Sequence, residues 1–441
     1  MYLNFKQQKL RMTAKTKDDV ESSIQYKLSS LPKISSNCCI YKVPGYIREV
    51  NRECYQPSAV SIGPIHYNNP SLKSSLELKL NYLKCFLELA THTNGNKAYS
   101  LSQYIDLVKI WEDEARSYYE EKLSLSSNEF IEMMIIDAAF IIYFFMSRSR
   151  KFQTQNIASN EKITWIMKVK QDIFVEDNQL PFFVLNKLYS ITFGEAHRET
   201  SFEDLTCYYI SNNSVFGNTN LAIGKENVVR NTSGVKHLLD FLRIWHLPSK
   251  PLDGTSTTES TLPPPSAEKL EVAGVKFKAG EGKHLLDIKF SDGVLEIPRL
   301  TMEDRTEGFL RNIIFFEQCH HFNNESYFAD YVSFIDALIN TREDVQILVQ
   351  HGVIKNFLGS DDEVANVVNQ LCKNIMIHSP KLYYYSDIAE KLNAHANTRR
   401  NKWMAILRKD YFNNPWSIIS VVYLAILLIL TVLQVYTGFK N

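Results

Sequence analysis

The chain predicts a mainly α fold: a multi-helix globular body with a small β-hairpin element and one C-terminal transmembrane helix. Three observations carry that reading. Apolar residues recur at helical spacing through most of residues 72–408. The period drops to two only between residues 275 and 300, around Asp292-Gly293, a dipeptide suited to a tight hairpin turn. Residues 416–436 carry no charged side chain, over the length of about 20 residues that a helix needs to cross a bilayer.

Taken in order, residues 1–37 are polar and mixed in charge and read as a mobile lead-in that closes on a short helix. The body spans 38–410. Residues 72–90 set Leu76, Leu80, Leu83 and Leu87 at helical spacing, an amphipathic helix with a leucine face. Residues 101–123 align Tyr104, Leu107, Val108, Trp111, Ala115 and Tyr118, with Glu112, Asp113 and Glu114 on the remaining surface. Residues 128–146 form the most apolar stretch of the body, interrupted by Glu129, Glu132 and Asp137. A carboxylate at the centre of a membrane span costs about 2.5–3.5 kcal/mol, so this stretch reads as a buried central helix whose Asp137 finds a partner inside.

Residues 172–189 read as one helix bent at Pro181, because proline lacks a backbone donor and clashes with the preceding turn. Residues 191–233, rich in Asn, Ser and Thr, and the Pro/Ser/Thr-rich 249–266 read as long loops. After the hairpin, helices are expected at 307–319, 327–340, 341–351, 361–375 and 386–408. The transmembrane helix is placed at 416–437.

Flanking charge sets the expected orientation. Arg399, Arg400, Lys402, Arg408 and Lys409 precede the apolar run against Asp410, and Lys440 follows it, which places the body in the cytosol. The first 20 residues have no apolar core of the length a cleavable signal requires, so insertion is expected to be post-translational, as in a tail-anchored protein at the plasma membrane or endoplasmic reticulum. Seven scattered cysteines read as reduced thiols, and the sequons at Asn212, Asn231 and Asn324 as unmodified asparagines. Basic and acidic residues balance at 49 each, which argues against a nucleic-acid partner. The bilayer and a protein are the expected partners, with the oligomeric state left open.

Few constellations suggest chemistry. Ser61 and His66 lie close enough in sequence to suggest a nucleophile and its base. Ala59 and Gly63 only partly match the small flanking residues of a nucleophile elbow. The structural alternative is a Gly63-Pro64 turn with His66 bonded to backbone. Glu176-Asp177-Asn178-Gln179 could do acid–base or cation work, or satisfy backbone groups near a helix end. Cys319-His320-His321 lacks paired ligand spacing for zinc and reads as a core cysteine followed by histidines at a helix end. Gly280-Glu-Gly282-Lys283-His284 is not a phosphate loop. No catalytic residue, metal or cofactor is assigned.

Several blocks together resemble one family. Tyr55, Pro57, Val60, Ser61, Ile62, Gly63, Pro64 and His66 fit the pattern Y-x-P-x-x-V-S-I-G-P-x-H of plant proteins grouped as domain of unknown function 247. The order of blocks continues through Met133–Phe140, Glu176–Phe183, His237–Leu242, Gly274–Phe277, Ile297–Leu300, Phe309–Cys319 and Tyr331–Asp336. Asp177, where relatives usually carry Glu, and Leu310 depart mildly. The resemblance implies a plant origin and one C-terminal membrane anchor, and supplies no catalytic residues. Some relatives are implicated in pollen–stigma self-recognition in grasses, a role that belongs to those relatives. The expected function is a membrane-anchored, non-enzymatic interaction or recognition protein; the alternative is a membrane-bound hydrolase using Ser61 and His66.

Overall fold

The computed structural model describes residues 19–29, 35–149, 163–195, 200–213, 221–230, 234–248, 262–280, 284–320, 326–374, 383–398 and 415–438. The fold is mainly helical with a small mixed sheet. Its organising element is α3 (Ser127–Ser147), which opens on a reciprocal cap between Ser126 and Glu129 and is apolar on nearly every face. It is long and apolar enough to cross a membrane, yet 89% of its apolar window is buried inside the body. The expectation of a central core helix therefore holds, with Asp137 bonded to partners within.

Helices α1 (Ser75–Asn94) and α2 (Leu101–Arg116) pack on α3. On α2 the expected face is the inner one, with Tyr104, Val108 and Ala115 buried, although the helix stops at Arg116 rather than 123. On α1 the expected leucine face is only half buried, Leu83 and Leu87 packing against the core. Ser75, Lys79, Tyr82, Phe86 and Ala90 are buried, whereas Leu76 and Leu80 stay 47% and 44% exposed. Two stripes with helical spacing compete on this helix. The aromatic one wins because Tyr82 meets Phe140 edge-on at 5.0 Å, Phe86 meets Phe193 at 5.4 Å, and Lys79 finds Asp137.

The single bent helix expected over 172–189 is instead two helices, α4 (Ile163–Asp172) and α5 (Phe182–Phe193), joined by a buried irregular segment. Pro181 caps the second helix rather than kinking one. Residues 191–233, expected as a loop, contain α6 (Phe202–Asn212) and α7 (Leu221–Arg230). A Ser201–Asp204 capping box starts α6, and its buried Phe202 and Tyr209 stack on Phe145, with Tyr209 at 4.0 Å. The polar composition there marks caps and connections, and hid the short helices between them. Residues 249–261 of the second expected loop lie outside the described residues, as do 399–408 of the last expected body helix.

Next come α8 (Leu238–Trp245) and α9 (Ala267–Val272). The expected hairpin is present as β2 (Lys289–Ser291) and β3 (Val294–Pro298), paired antiparallel. Asp292 and Gly293 both take positive φ, 51° and 75°, which the tight turn requires and which glycine tolerates without strain. β1 (Lys276–Gly280) adds in parallel to β3, giving the order β1-β3-β2. A second pair, β4 (Leu300–Met302) with β5 (Ile354–Asn356), was not foreseen because each strand is only 3 residues long.

Between and after those strands run α10 (Thr306–His320), α11 (Tyr327–Leu338), α12 (Arg342–Gln350), α13 (Asp361–Leu371) and α14 (Ser386–Asn397). The final element, α15, spans Pro415–Gly438. Its described apolar stretch, Val422–Tyr436, is exposed along its whole length, in contrast to α3, but is shorter than a bilayer span, so among the described residues the transmembrane helix expected at 416–437 is not shown.

Candidate functional site

The block from Arg48 to His66 crosses the body as extended chain and short turns, so its backbone polar groups need partners from elsewhere. The segment between α4 and α5 supplies most of them. The Asp172 carboxylate accepts N–H bonds from Ser58, Ala59 and Val60 at 3.0, 2.6 and 2.9 Å. Burial pushes this carboxyl above its ordinary range, while the three N–H groups pull it back. Asn178 accepts from Ile62 N–H at 2.7 Å and donates to the carbonyls of Val60 and Asp172.

From the other side, the Asp137 carboxylate accepts the Gly63 N–H at 2.9 Å and the Lys79 ammonium at 2.5 Å. Lys79 also donates to the Ser61 carbonyl at 2.9 Å. Burial raises the Asp137 carboxyl, opposed first by the Lys79 charge. Gly63 has φ +71°, and a Cβ there would sit 2.4 Å from the Gln179 carbonyl oxygen, so only glycine fits.

Asp177 gathers the Arg48 guanidinium and the His66 ring. It receives Arg48 at one oxygen and His66 Nε2 at the other, the latter at 2.8 Å. Arg48 in turn donates to the carbonyls of Val43 and Tyr55. Gln179 donates to the carbonyls of Ile173 and Val175 and accepts the first N–H groups of α8, from Leu238 and Leu239. Glu176 accepts the Tyr41 N–H at 3.1 Å, and burial pushes its carboxyl well above the ordinary range. The four polar residues 176–179 therefore satisfy backbone and cation partners on four different segments.

This geometry separates the two residues considered as nucleophile and base. Ser61 is buried with its Oγ 3.5 Å from Lys79 Nζ, whereas His66 is bonded to Asp177. They bond to different carboxylate-centred clusters and not to each other. Cys319 is exposed, not in the core. His320 stacks on Phe316 at 5.3 Å and meets the Tyr41 hydroxyl at 3.1 Å; His321 lies outside the described residues. The stretch from Gly280 to His284 is described only at its ends, where His284 Nδ1 meets Asn227 Nδ2 at 3.1 Å. Among the described residues no group of three His, Cys, Asp or Glu side chains could hold a metal ion.

Sequence reading missed Lys79, Asp172 and Arg48. A signal existed for the first: a lysine inside an apolar stripe of one helix, with an aspartate inside the apolar run of another. A second buried ion pair, Arg243 with Glu317 at 2.9 Å, was missed in the same way. Glu317 also accepts the first N–H groups of α11, from Phe328 and Ala329, and burial raises its carboxyl to about 7.

Beside the bonds that hold residues 58–60 lies an open groove of about 1170 Å³, whose walls include Arg52, Glu53, Ser58, Lys168, Asp304 and Arg305. Ser58 lies between the Asp172 carboxylate and this groove, so the buried bonds fix one of its walls. The lining carries both signs of charge and no histidine.

Comparison with known proteins agrees with the motif reading. A family model described as plant protein of unknown function, DUF247, matches residues 40–430. The chain is 27% identical over 435 residues to UPF0481 protein At3g47200 of Arabidopsis thaliana, covering 90% of this chain and 85% of that protein. It is 21% identical over 512 residues to a second UPF0481 protein of the same plant, At3g02645, covering 95% and 93% respectively. No solved structure matches.

Proposed function

We propose that this chain, which belongs to the DUF247 family of plant proteins, is a membrane-anchored interaction module that acts by binding rather than by catalysis. The observation that carries the anchor is the contrast between its two most apolar helices. Helix α3 is buried inside the body, whereas the described side chains of α15 from Val422 to Tyr436 are exposed throughout. In water such a surface is costly, at about 25 cal/mol for each Å² of apolar area. A bilayer removes that cost. The 24 residues of α15 rise about 36 Å, enough to cross a hydrocarbon core of about 30 Å.

The basic residues from Arg399 to Lys409 support a cytosolic body, since cations adjoining a span favour the cytoplasmic face and add about 1 kcal/mol each near anionic lipid. Binding is favoured over turnover because the polar side chains of the family blocks are engaged with backbone and with one another. The outer groove, of mixed charge, offers a surface suited to a protein segment.

Protease treatment of sealed microsomes bearing the full chain tests the orientation, with glycosidase shift scored at Asn212, Asn231 and Asn324. A digested body without glycan is the expected result. A protected, glycosylated body would overturn the cytosolic placement and leave the anchor standing.

A further inference from the structure

The leucine stripe of α1 is only half used by the core: Leu83 and Leu87 pack at its edge, and Leu76 and Leu80 are left exposed. Leu76, Leu80, Leu83 and Leu87 follow one another at intervals of four, three and four residues, the spacing of a seam between two helices. Leu76 and Leu80 are 47% and 44% exposed, and Leu83 and Leu87 are half-buried at the edge of the core. The opposite side of α1 is committed inward through Lys79, Tyr82 and Phe86. The helix thus presents a knob-forming edge, with Leu76 and Leu80 left exposed among the described residues.

We infer that α1 is a homodimer interface, on which the Leu76–Leu80–Leu83–Leu87 seam of one copy packs antiparallel against the same seam of a second copy. Charge selects this occupant. Of the residues bordering the seam on its solvent side, Glu77 and Lys84 are exposed and opposite in sign, one near each end. When two copies of α1 run antiparallel about a two-fold axis between residues 80 and 83, Leu76 faces Leu87, Leu80 faces Leu83, and Glu77 comes beside Lys84 of the other copy, twice by symmetry. The surface is therefore complementary to itself. Lys84 now rests 3.9 Å from Glu88 on its own helix, an exposed pair that is readily exchanged. The buried ion pair of Lys79 with Asp137 holds the helix in this rotation, since turning it to bury the leucines would withdraw Lys79 from Asp137.

The test is energy transfer between donor- and acceptor-labelled copies of the full chain in detergent, followed over protein concentration. Wild type is expected to give transfer that rises to saturation. Leu80→Glu is expected to weaken association at least about tenfold without altering the helical circular dichroism, because the site is exposed in each copy. Glu77→Lys alone is expected to weaken it about fivefold or more by placing like charges together, and Glu77→Lys with Lys84→Glu to restore it within about twofold. Three results would overturn the inference: no transfer at any concentration, transfer indifferent to Leu80→Glu, or failure of the double reversal to restore what the single reversal lost. The last would mean a parallel arrangement or a different partner for the stripe.

Discussion

Lys79 Nζ lies 2.5 Å from Asp137 Oδ1 in the interior, and this pair ties the surface-facing helix α1 to the central helix α3. The same two side chains hold the family's signature turn, Lys79 through the Ser61 carbonyl and Asp137 through the Gly63 N–H. The signature is therefore built into the core by charge as well as by packing.

Removing one partner is expected to cost more than removing both. Asp137→Ala leaves the Lys79 ammonium buried without its counter-charge and the Gly63 N–H without its acceptor, a loss of about 3–5 kcal/mol. The volume-matched pair Lys79→Met with Asp137→Leu should recover much of it. Urea unfolding of the full chain in detergent, followed by tryptophan fluorescence, measures both.

Gly63→Ala is expected to destabilise by about 1–3 kcal/mol, since it combines a left-handed backbone with a Cβ pressed into the Gln179 carbonyl. Gly45→Ala meets open space and serves as the control, with a midpoint close to wild type. The same unfolding assay separates them.

Asp330 gives a pH signature. Burial raises its carboxyl from an ordinary value near 3.8 to about 7, against the pull of the Tyr384 N–H. The folded state thus holds a proton that the unfolded chain releases, so the contribution of this group to stability is full at low pH and is lost as pH rises from about 4 through about 7. Asp330→Asn keeps an acceptor for Tyr384 and carries no titrating group. Its unfolding midpoint should decline less than wild type between pH 5 and pH 8, a difference on the order of a few kcal/mol at most. An equal decline in both proteins would refute the assignment.

Ser61→Ala removes a hydroxyl whose contact with Lys79 is long, while the Ser61 carbonyl still holds the ammonium. Stability should change by less than about 1 kcal/mol, and membrane association should be unchanged. A fluorophosphonate probe should label wild type and variant alike at background. Labelling that depends on Ser61 would instead favour the hydrolase alternative.

Much of the fold was legible because its strongest elements agree with their own local signals. The apolar length of α3 with one interior aspartate, the Asp292-Gly293 turn and the Tyr104–Val108–Ala115 face of α2 each point the same way in sequence and in space. Where sequence failed, two local solutions were nearly equal. On α1 a leucine stripe and a Lys79–Tyr82–Phe86 stripe share one helix, and only the partners on α3 decide which turns inward. Between Asp172 and Phe182 the side chains of Asn178 and Gln179 bond the backbone of distant segments, and no nearby periodicity records that. The polar run over 191–233 hid α6, whose Phe202 and Tyr209 have meaning only against Phe145. The candidate site was half visible, since the blocks stood out while their cations and acceptors lay far away in the chain.

Alkaline carbonate extraction of membranes, comparing the full chain with one ending at Asn414, addresses the anchoring role of α15. The full chain should remain in the membrane pellet, and the shortened chain should pass to the supernatant with its helical circular dichroism intact. Release of the full chain by carbonate, or retention of the shortened one, would contradict the membrane-anchored reading.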